Sequence, residues 1–364
     1  MTRIEPYSDK EVKFVLENLL KDKEFLNFVK ENLNSSTSKF LSIPGSKFLA
    51  LQLFKSKVRK ISTIDQFQDQ VMIVLKSVIN QTMDKFSYSG ADLLDINKPY
   101  LFIGNHRDIT LDSALCNYAI HSTGLKTTHN AIGDNLVSID WMGDLLRLNK
   151  SFVVPRSGKS KKEIYNNLFN VSNYIKSTLN AGNHIWIAQR QGRAKDGIDK
   201  TDPAVLKMLH IALRKSANFE DLTKYYNIIP CSVSYEIDPL AEEKAKQDID
   251  AENKKEQDDI KHIFRGIMEH KGFVHLNIGE QITGSYSPED LAKEIDQSII
   301  GNYKIWDTNM YAYKYLHEQV NDKDFPRASS YFNELRTSMT NKELEYIINQ
   351  YSNPLIAKGE FKNE

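Results

Sequence analysis

The stretch YLFIGNHRDITLDSALCNYAI, residues 100–120, decides the fold, because an apolar run of strand length stands directly before a run with helical spacing. The first run ends at Gly104, and from Leu111 onward apolar residues recur at the three- and four-residue intervals of one helix face. A short polar segment, NHRDIT, separates the two. A strand that leads into a helix is the repeating unit of α/β folds, so this stretch predicts a sheet with helices packed against it.

The same alternation continues along the chain. Helical spacing recurs in residues 162–182 and 203–217. Five further runs have the length and composition of strands: TTHNAIG (127–133), SFVVPR (151–156), HIWIAQR (184–190), NIIPCSVSY (227–235) and GFVHLNIG (272–279). We therefore predict an α/β fold with a central mixed, mostly parallel sheet flanked by helices, together with an N-terminal helical region and a C-terminal helical extension.

The flanking parts of the chain have a different texture. Residues 1–88 show helical spacing, and a heavily charged segment at about 238–263 is typical of a solvated helix or an insertion rather than a site. Near the C-terminus, Ser287 and Asp290 form the pattern of a helix start. We predict three parts: an N-terminal helical region (1–92), an α/β domain that includes the charged insertion (93–283) and a C-terminal helical extension (284–364).

Composition restricts the function and the compartment. The 364 residues include 48 basic and 48 acidic ones, and this zero net charge argues against nucleic-acid binding as the main role. Cys116 and Cys231 both lie in apolar runs, which predicts buried free thiols and a reducing compartment. The sequence shows neither a signal peptide nor an apolar run long enough to span a bilayer. We therefore expect a cytoplasmic protein that reaches any lipid from the water side.

The polar segment after the first strand contains His106, which we expect to lie at the end of that strand. Asp112 follows in the first turn of the next helix, where its carboxylate can accept from one ring nitrogen and leave the other free to take a proton. Asp108 is a second candidate for this partner. Such a pair can deprotonate a hydroxyl for attack on an acyl thioester. The alternative is a structural histidine in a loop, with its hydrogen bonds satisfied by nearby backbone.

Three more segments place polar residues at strand ends or inside strands. IAQRQGRAKDG (187–197) is a basic glycine loop in which Arg193 with Lys195 could hold a phosphate by charge-assisted hydrogen bonds. FVVPRSGK (152–159) closes a strand with Arg156. IIPCSVSYE (228–236) carries Pro230 within an apolar strand, which suggests a strand start or a bulge.

Taken in chain order, these segments resemble the glycerolipid acyltransferase superfamily, which includes glycerol-3-phosphate and 1-acylglycerol-3-phosphate acyltransferases. The resemblance covers roughly residues 98–282 and implies that His106 is the base that activates the acceptor hydroxyl, with Asp112 orienting it. It also implies that the acceptor phosphate and the acyl donor are bound by further residues. These predicted substrate-binding residues are Asn105, Arg107, Arg156, Gln191, Gly192, Arg193 and Pro230. Among them, the resemblance assigns the phosphate to Arg156, Gly192 and Arg193, and the donor site to Pro230.

Three positions depart from the family's pattern. The family places its aspartate where this sequence has Leu111, so Asp112 comes one residue late. Gln191 stands where the family has glutamate, and Ala194 stands where it has arginine, with Arg193 one position early. The last two changes leave the base intact and bear on the identity of the acceptor.

The resemblance implies an acyltransferase that needs no metal, covalent nucleophile or other cofactor, with acyl-CoA or acyl-ACP as co-substrate. Its expected partners are this acyl thioester, a phosphorylated lipid precursor and a membrane surface, and not nucleic acid. We expect peripheral attachment to the inner face of the cytoplasmic membrane. Residues 47–60 join an apolar run to four basic residues and are the candidate contact, although a packed helix with a solvated basic end would look the same.

Two other functions fit part of the sequence. QRQGRA (189–194) fits the acetyl-CoA loop of GNAT-type N-acetyltransferases, but that fold starts a helix at once after the loop, and here the helical pattern begins near Pro203. A catalytically degenerate acyltransferase-like protein that binds lipid or a partner would also accommodate Gln191 and the late Asp112. In that case the side chains of His106 and Asp112 would not need to meet.

Overall fold

The structure is a computed structural model that describes residues 3–33, 46–155, 158–250 and 258–360. The chain forms two compact units, which we call the first and second units. The first unit comprises Met1–Val74 and His129–Ile164, and the second comprises Leu75–Thr128 and Tyr165–Glu364. The domain boundaries predicted at residues 92/93 and 283/284 come from changes in the residue pattern along the sequence, not from spatial compactness. They therefore stay a prediction.

Both units contain strands and helices. The described residues contain seven strands: β1 Lys85–Ser89, β2 Leu101–Gly104, β3 His129–Gly133, β4 Ser151–Val154, β5 Ile185–Ala188, β6 Ile228–Tyr235 and β7 Phe273–Ile278. They also contain fifteen α-helices: α1 Asp9–Leu19, α2 Lys23–Leu33, α3 Ser46–Val58, α4 Ile64–Thr82, α5 Leu111–His121, α6 Asp140–Leu148, α7 Lys161–Asn180, α8 Pro203–His210, α9 Leu222–Tyr225, α10 Ala241–Ile249, α11 Asp258–Met268, α12 Pro288–Asn302, α13 Asp307–His317, α14 Pro326–Ser338 and α15 Asn341–Glu360.

The second unit is built on five strands in the order β1-β7-β6-β2-β5. Neighbouring strands are parallel except β6 and β7, which are antiparallel. Strand β2 is central, since Ile103 pairs with Ile187 of β5 on one side and with Pro230 of β6 on the other. All residues of β2 and β6 are buried, as is usual for parallel strands covered on both faces. The predicted α/β fold with a mixed, mostly parallel sheet is confirmed, as are the helical regions near both ends of the chain.

The first unit contains α1 to α3, the strands β3 and β4, and α6. Strands β3 and β4 run parallel, with Ala131 opposite Phe152. Helix α2 packs on α6 through aromatic rings, and the Phe28 and Trp141 rings stack with their centroids 5.3 Å apart. Helix α3 covers most of the 47–60 segment, which the sequence predicted to be helical.

Strand β1 corrects one prediction, because residues 85–89 fall in the part of the chain that the sequence predicted to be helical. The helical pattern ends with α4 at Thr82, and the following run KFSYS pairs in parallel with β7. Ser87 lies beside His275 in this pairing, and its hydroxyl is 2.9 Å from Nδ1 of that ring. The strand thus depends on a partner almost 190 residues away, and a five-residue run carries too few positions to reveal it by periodicity.

The charged segment at about 238–263 corrects another prediction, since its described part is not a solvated insertion. Helix α10 buries Ala241 and Ala245 in one hydrophobic cluster with Tyr311, Phe332 and other residues of the C-terminal helices. The side chain of Lys244 on the same helix is completely buried. Residues 251–257, between α10 and α11, lie outside the described residues.

Several smaller predictions can be compared directly with the fold. The Ser287 hydroxyl accepts a hydrogen bond from the backbone N–H of Asp290 at 3.1 Å, so the predicted start of α12 is confirmed. Cys116 and Cys231 are both buried free thiols, also as predicted. Across the described ranges, none of the helices combines the length and apolar composition that crossing a membrane requires.

Candidate active site

Three neighbouring strands of the second unit deliver their polar residues to one edge of the sheet. Strands β5, β2 and β6 are parallel to one another, so their carboxyl ends meet at the same edge. The segments that follow them begin at Asn105, Gln189 and Glu236. This is the edge at which open α/β sheets bind their ligands.

His106 and Asp112 meet at this edge. Nδ1 of His106 lies 3.1 Å from Oδ2 of Asp112, which is hydrogen-bonding distance. The Asp112 side chain is 2% exposed, whereas that of His106 is 17% exposed. The ring is thus anchored from the protein side and reachable from outside.

Asp112 is surrounded by donors, and this fixes the tautomer of the ring. Its Oδ2 accepts from the backbone N–H groups of Arg107 at 2.7 Å and Asp108 at 2.9 Å, and its Oδ1 accepts from the Tyr235 hydroxyl at 2.9 Å. A carboxylate that accepts from three other groups acts as an acceptor toward His106 too. The proton of the neutral ring therefore resides on Nδ1, and Nε2 is left to accept a proton.

The same contacts explain how an aspartate one residue late still reaches the histidine. The two backbone N–H groups that follow His106 both point at the Asp112 carboxylate, so the chain winds around it before α5 begins. The extra residue is taken up inside this turn.

Asp108, the alternative partner, has a different task. Its Oδ1 accepts from the backbone N–H groups of Thr110 at 2.8 Å and Leu111 at 2.7 Å, which satisfies donors at the start of α5. Its Oδ2 faces Gly266 of α11 so closely that a Cβ there would lie 2.2 Å from it. Burial and the nearby Asp112 carboxylate raise the pKa of Asp108. The structure therefore separates the two carboxylates into one that contacts His106 and one that starts the helix.

A tryptophan forms an apolar wall beside the histidine. The rings of His106 and Trp186 meet edge to face with their centroids 6.3 Å apart. Gly104, at the end of β2, makes this approach possible, since a Cβ there would lie 3.0 Å from the indole ring. A larger residue at position 104 would displace the wall.

Asn105 and Arg107, both predicted to bind substrate, are occupied by protein groups. The Asn105 amide bonds Val233 of β6 through both its oxygen and its nitrogen, at 2.8 and 3.0 Å. The Arg107 guanidinium is buried and donates to Asp199 at 2.6 Å and to the Gly197 carbonyl at 3.0 Å. Burial by itself would lower the pKa of Arg107, but the Asp199 carboxylate more than compensates and raises it. Both side chains fix the loops in place here, and their predicted substrate contacts stay a prediction.

The basic glycine loop, residues 187–197, begins at the end of β5 and is tied to the histidine segment. The Ala194 N–H donates to the His106 carbonyl at 2.7 Å. Gln191 and Gly192 are exposed, and Gly192 has a positive φ of 77° with open space around its Cα. No helix starts between the end of β5 at Ala188 and the start of α8 at Pro203. The loop therefore lacks the helix that a GNAT-type site requires.

Arg193 is a loop residue with unused hydrogen-bonding capacity. The residue is 9% exposed, and its Nη2 lies 3.4 Å from Nδ1 of His262 on α11. Among the described residues, its Nη1 has no hydrogen-bond partner. A buried donor of this kind is costly unless something accepts from it, and an anionic ligand would do so.

The structure describes one of the two remaining predicted residues. Pro230 is buried in the third position of β6, where its carbonyl accepts from the Gly279 N–H at 2.9 Å, so its predicted place at the donor site stays a prediction. Arg156 lies outside the described residues.

Three residues that hold the site together are not indicated by any motif in the sequence, namely Tyr235, Asp199 and Lys244. Tyr235 was visible as the polar end of the strand NIIPCSVSY, yet nothing local links it to an aspartate 123 residues away. The Lys244 Nζ donates to the Arg107 carbonyl at 2.7 Å, from the segment predicted to be solvated.

The fold is α/β, and the His106–Asp112 pair has the geometry that general-base chemistry requires. Residues 85–232 match the protein-family model described as Acyltransferase. This match includes His106, Asp112, the basic glycine loop and Pro230, and it confirms the predicted resemblance to acyltransferases for that part of the chain.

Among solved structures, the chain is similar to the 1-acyl-sn-glycerophosphate (LPA) acyltransferase PlsC from Thermotoga maritima. The sequence identity is 13% and the TM-score is 0.36, over 64% of this chain and 79% of that one. So distant a likeness adds nothing to what the fold and the family match establish. No curated protein is significantly similar to the chain in sequence.

Proposed function

We propose that this chain transfers a fatty acyl group from an acyl thioester, acyl-CoA or acyl-ACP, to the hydroxyl of a glycerol-phosphate-like lipid precursor. One observation carries this proposal. In a segment that matches the acyltransferase family, His106 is held through Nδ1 by a buried aspartate, and its Nε2 is left to accept a proton. Side chains pointing apart would instead have favoured a non-catalytic binding protein.

In the proposed reaction, Nε2 of His106 takes the proton of the acceptor hydroxyl as the oxygen attacks the thioester carbonyl. The new C–O bond forms, the C–S bond breaks, and the departing thiolate receives the proton from the imidazolium. Asp112 stabilises the imidazolium while it exists, and Tyr235 and two backbone N–H groups hold Asp112 in position.

We propose that Arg193 binds the phosphate of the acceptor. Its buried Nη1 is the support for this role, because a phosphate oxygen would satisfy that donor. Truncating Arg193 should then mainly raise the KM of the acceptor, whereas loss of His106 should mainly lower kcat.

We propose peripheral attachment to the inner face of the cytoplasmic membrane through the 47–60 segment. Leu53 of α3 is 58% exposed, and the basic residues Lys55, Lys57, Arg59 and Lys60 follow it. Apolar and basic side chains on one short helix and directly after its end suit an anionic lipid surface. Liposomes with and without anionic lipid, compared in a sedimentation assay of the wild type and of Leu53→Asp, test this; equal sedimentation of both proteins would remove the segment from the proposal.

The central experiment is a panel of donors and acceptors. The purified protein is mixed with acyl-CoA or acyl-ACP and with glycerol 3-phosphate or 1-acylglycerol 3-phosphate, and the products are read by mass spectrometry. We expect one acceptor to gain an acyl chain while free thiol appears in equal amount. If every donor thioester stays intact with every acceptor, the proposed activity is wrong and lipid binding becomes the better hypothesis.

A further inference from the structure

Buried side chains hold both backbone polar groups of Arg107, the residue directly after His106. Its N–H donates to Asp112, the same carboxylate that binds the His106 ring. Its carbonyl accepts from the Nζ of Lys244 at 2.7 Å. The backbone that sets the position of His106 is thus fixed from two directions.

Lys244 is itself held by the C-terminal helix. Its ammonium is completely buried and pairs with Asp238 at 2.5 Å. The Asp238 carboxylate accepts a second hydrogen bond, at 2.8 Å, from the side-chain amide of Gln350 on α15. The Asp238 N–H donates to the hydroxyl of Tyr351, also on α15, at 2.7 Å. A continuous chain of hydrogen bonds therefore runs from α15 to the residue next to the candidate base.

The burial of this network makes its geometry specific. Arg107, Asp238 and Gln350 line the same small cavity of about 20 Å³. A buried ammonium that loses its carboxylate, or a buried carboxylate that loses its ammonium, carries a large desolvation penalty, so the pair has little freedom to rearrange. Burial lowers the pKa of Lys244, while the Asp238 carboxylate opposes this shift.

Helix α15 also touches the basic glycine loop. The Asn353 amide donates to the Asp196 carbonyl at 2.8 Å. Gly197 approaches α15 so closely that a Cβ there would lie 2.0 Å from the Gln350 carbonyl oxygen. One helix therefore supports both the histidine segment and the loop that contains Arg193.

We propose that Lys244 is a positioning residue for His106, and that Gln350 and Tyr351 of α15 set its place through Asp238. The C-terminal extension is then part of the catalytic apparatus and not an accessory to it. This inference rests on the proposed acyltransferase function, since it assigns the network to the geometry of the proposed base.

Lys244→Met removes the donor and keeps a side chain of similar length. We expect kcat to fall about 10- to 100-fold with the acceptor KM within about threefold, because a small misplacement of a base affects the reaction step more than binding. The matched control is Lys246→Met, on the same helix, whose ammonium is exposed and lies 3.6 Å from Glu242. Its kinetic constants should match those of the wild type.

Gln350→Met provides a milder variant, because it removes one donor to Asp238 and leaves the Lys244–Asp238 pair intact. We expect kcat to fall about three- to tenfold, which corresponds to the net contribution of one ordinary hydrogen bond. Its control is Leu335→Ala on α14, which weakens the same hydrophobic cluster of the C-terminal helices and removes none of the network's hydrogen bonds. If Leu335→Ala lowers kcat as much as Gln350→Met at equal thermal stability, the effect is general loosening and the inference is wrong.

A second readout does not depend on activity. The ring nitrogen resonances of His106, followed by NMR across a pH titration of protein with ¹⁵N-labelled histidine, report the Nδ1 contact with Asp112. They should change in Lys244→Met and Gln350→Met and stay unchanged in Lys246→Met. Unchanged resonances in both network variants would overturn the inference, even for an active enzyme. If no donor and acceptor pair reacts with the wild type, the proposed function fails, and the same spectra still decide whether α15 positions His106.

Discussion

Asp112 receives hydrogen bonds from a ring nitrogen, two backbone N–H groups and a tyrosine hydroxyl. Four donors on one carboxylate leave its side chain little freedom to move. The His106 ring, which contacts this carboxylate, is held in one orientation as a result. The geometry of the proposed base is therefore set by Asp112 and by the groups that donate to it.

Asp112→Asn should lower kcat about 10²- to 10⁴-fold with little change in KM. An amide cannot accept from all four donors, and one orientation would place its NH₂ against the N–H groups of Arg107 and Asp108, which frees the ring to adopt the other tautomer. Steady-state kinetics on the best substrate pair measure this. A variant within threefold of the wild-type kcat would show that Asp112 does not orient the base.

Asp108→Asn is the matched comparison, one turn away in the same segment. The amide oxygen can still accept from Thr110 and Leu111, and the change removes a buried carboxyl whose pKa is raised by burial. We expect kcat within about threefold of the wild type and equal or higher thermal stability at pH 7.5. A kcat loss as large as that of Asp112→Asn would mean that the two carboxylates act together.

At this scale, the sequence predicted the His106 segment but left two candidates for its partner. Asp108 and Asp112 are both within reach of a flexible turn, and only the three-dimensional course of residues 107–111 separates them. The ion pair of Arg107 with Asp199 spans 92 residues, so no local pattern could indicate it. Arg107 was consequently predicted to bind substrate, although its guanidinium faces inward.

At the scale of elements, the contact between the basic glycine loop and α15 depends on Gly197. This residue has a positive φ of 81°, and a Cβ would overlap the backbone of α15. Gly182 provides a control, since it has a similar φ of 76° with nothing within 4 Å of a built Cβ.

Gly182→Ala should destabilise the protein by about 1–2 kcal/mol, the cost of a left-handed backbone for alanine. Gly197→Ala should cost about 1–3 kcal/mol more, because the overlap forces the loop or the helix to move. Chemical denaturation of both variants measures the difference. Equal free energies of unfolding would show that the loop does not rest on α15.

Elements were predicted well where the local pattern was long or strongly apolar. All six strand-like runs contain strands of the structure. Strands buried in a parallel sheet are recognisable in the sequence because they are nearly continuous apolar runs. Strand β1 was missed because a five-residue polar and aromatic run gains its structure from pairing with β7. The charged segment was misread because the burial of Lys244 requires Asp238 and Arg107, which only the tertiary structure brings to it.

At the scale of the whole molecule, stability should depend on pH through Asp296 of α12. This carboxylate accepts from the N–H and the hydroxyl of Thr201, and burial raises its pKa from 3.8 to about 6. Between about pH 4 and 6 the folded protein keeps a proton that the unfolded chain has lost. The contribution of Asp296 to stability therefore falls as the pH rises through this window, and it is constant above it.

Asp296→Asn keeps an oxygen for Thr201 and removes the titration. Relative to the wild type, the variant should gain about 2 kcal/mol of unfolding free energy between pH 4.5 and pH 7.5. Urea denaturation of both proteins at the two pH values gives this difference directly, and the other titrating groups cancel in the comparison. A difference that does not change with pH would mean that Asp296 is ionised throughout this range in the folded protein.

At the scale of the whole molecule, the sequence predicts only part of the function. The fold class and the reaction type follow from patterns local to residues 98–282, because strands, helices and a short motif are local. The contribution of the C-terminal extension could not be predicted, since it depends on hydrogen bonds between residues more than a hundred positions apart. The acceptor is equally hidden, because the loop that would bind it differs from the family's pattern at Gln191 and Ala194.

The most direct test of the central claim is the kcat of His106→Ala on the donor and acceptor pair that the wild type prefers. His121→Ala, which changes an exposed histidine at the end of α5, serves as the control. We predict that His106→Ala lowers kcat about 10²- to 10⁴-fold with a nearly unchanged acceptor KM, and that His121→Ala behaves as the wild type. A kcat of His106→Ala equal to that of the wild type would contradict the assignment of His106 as the base.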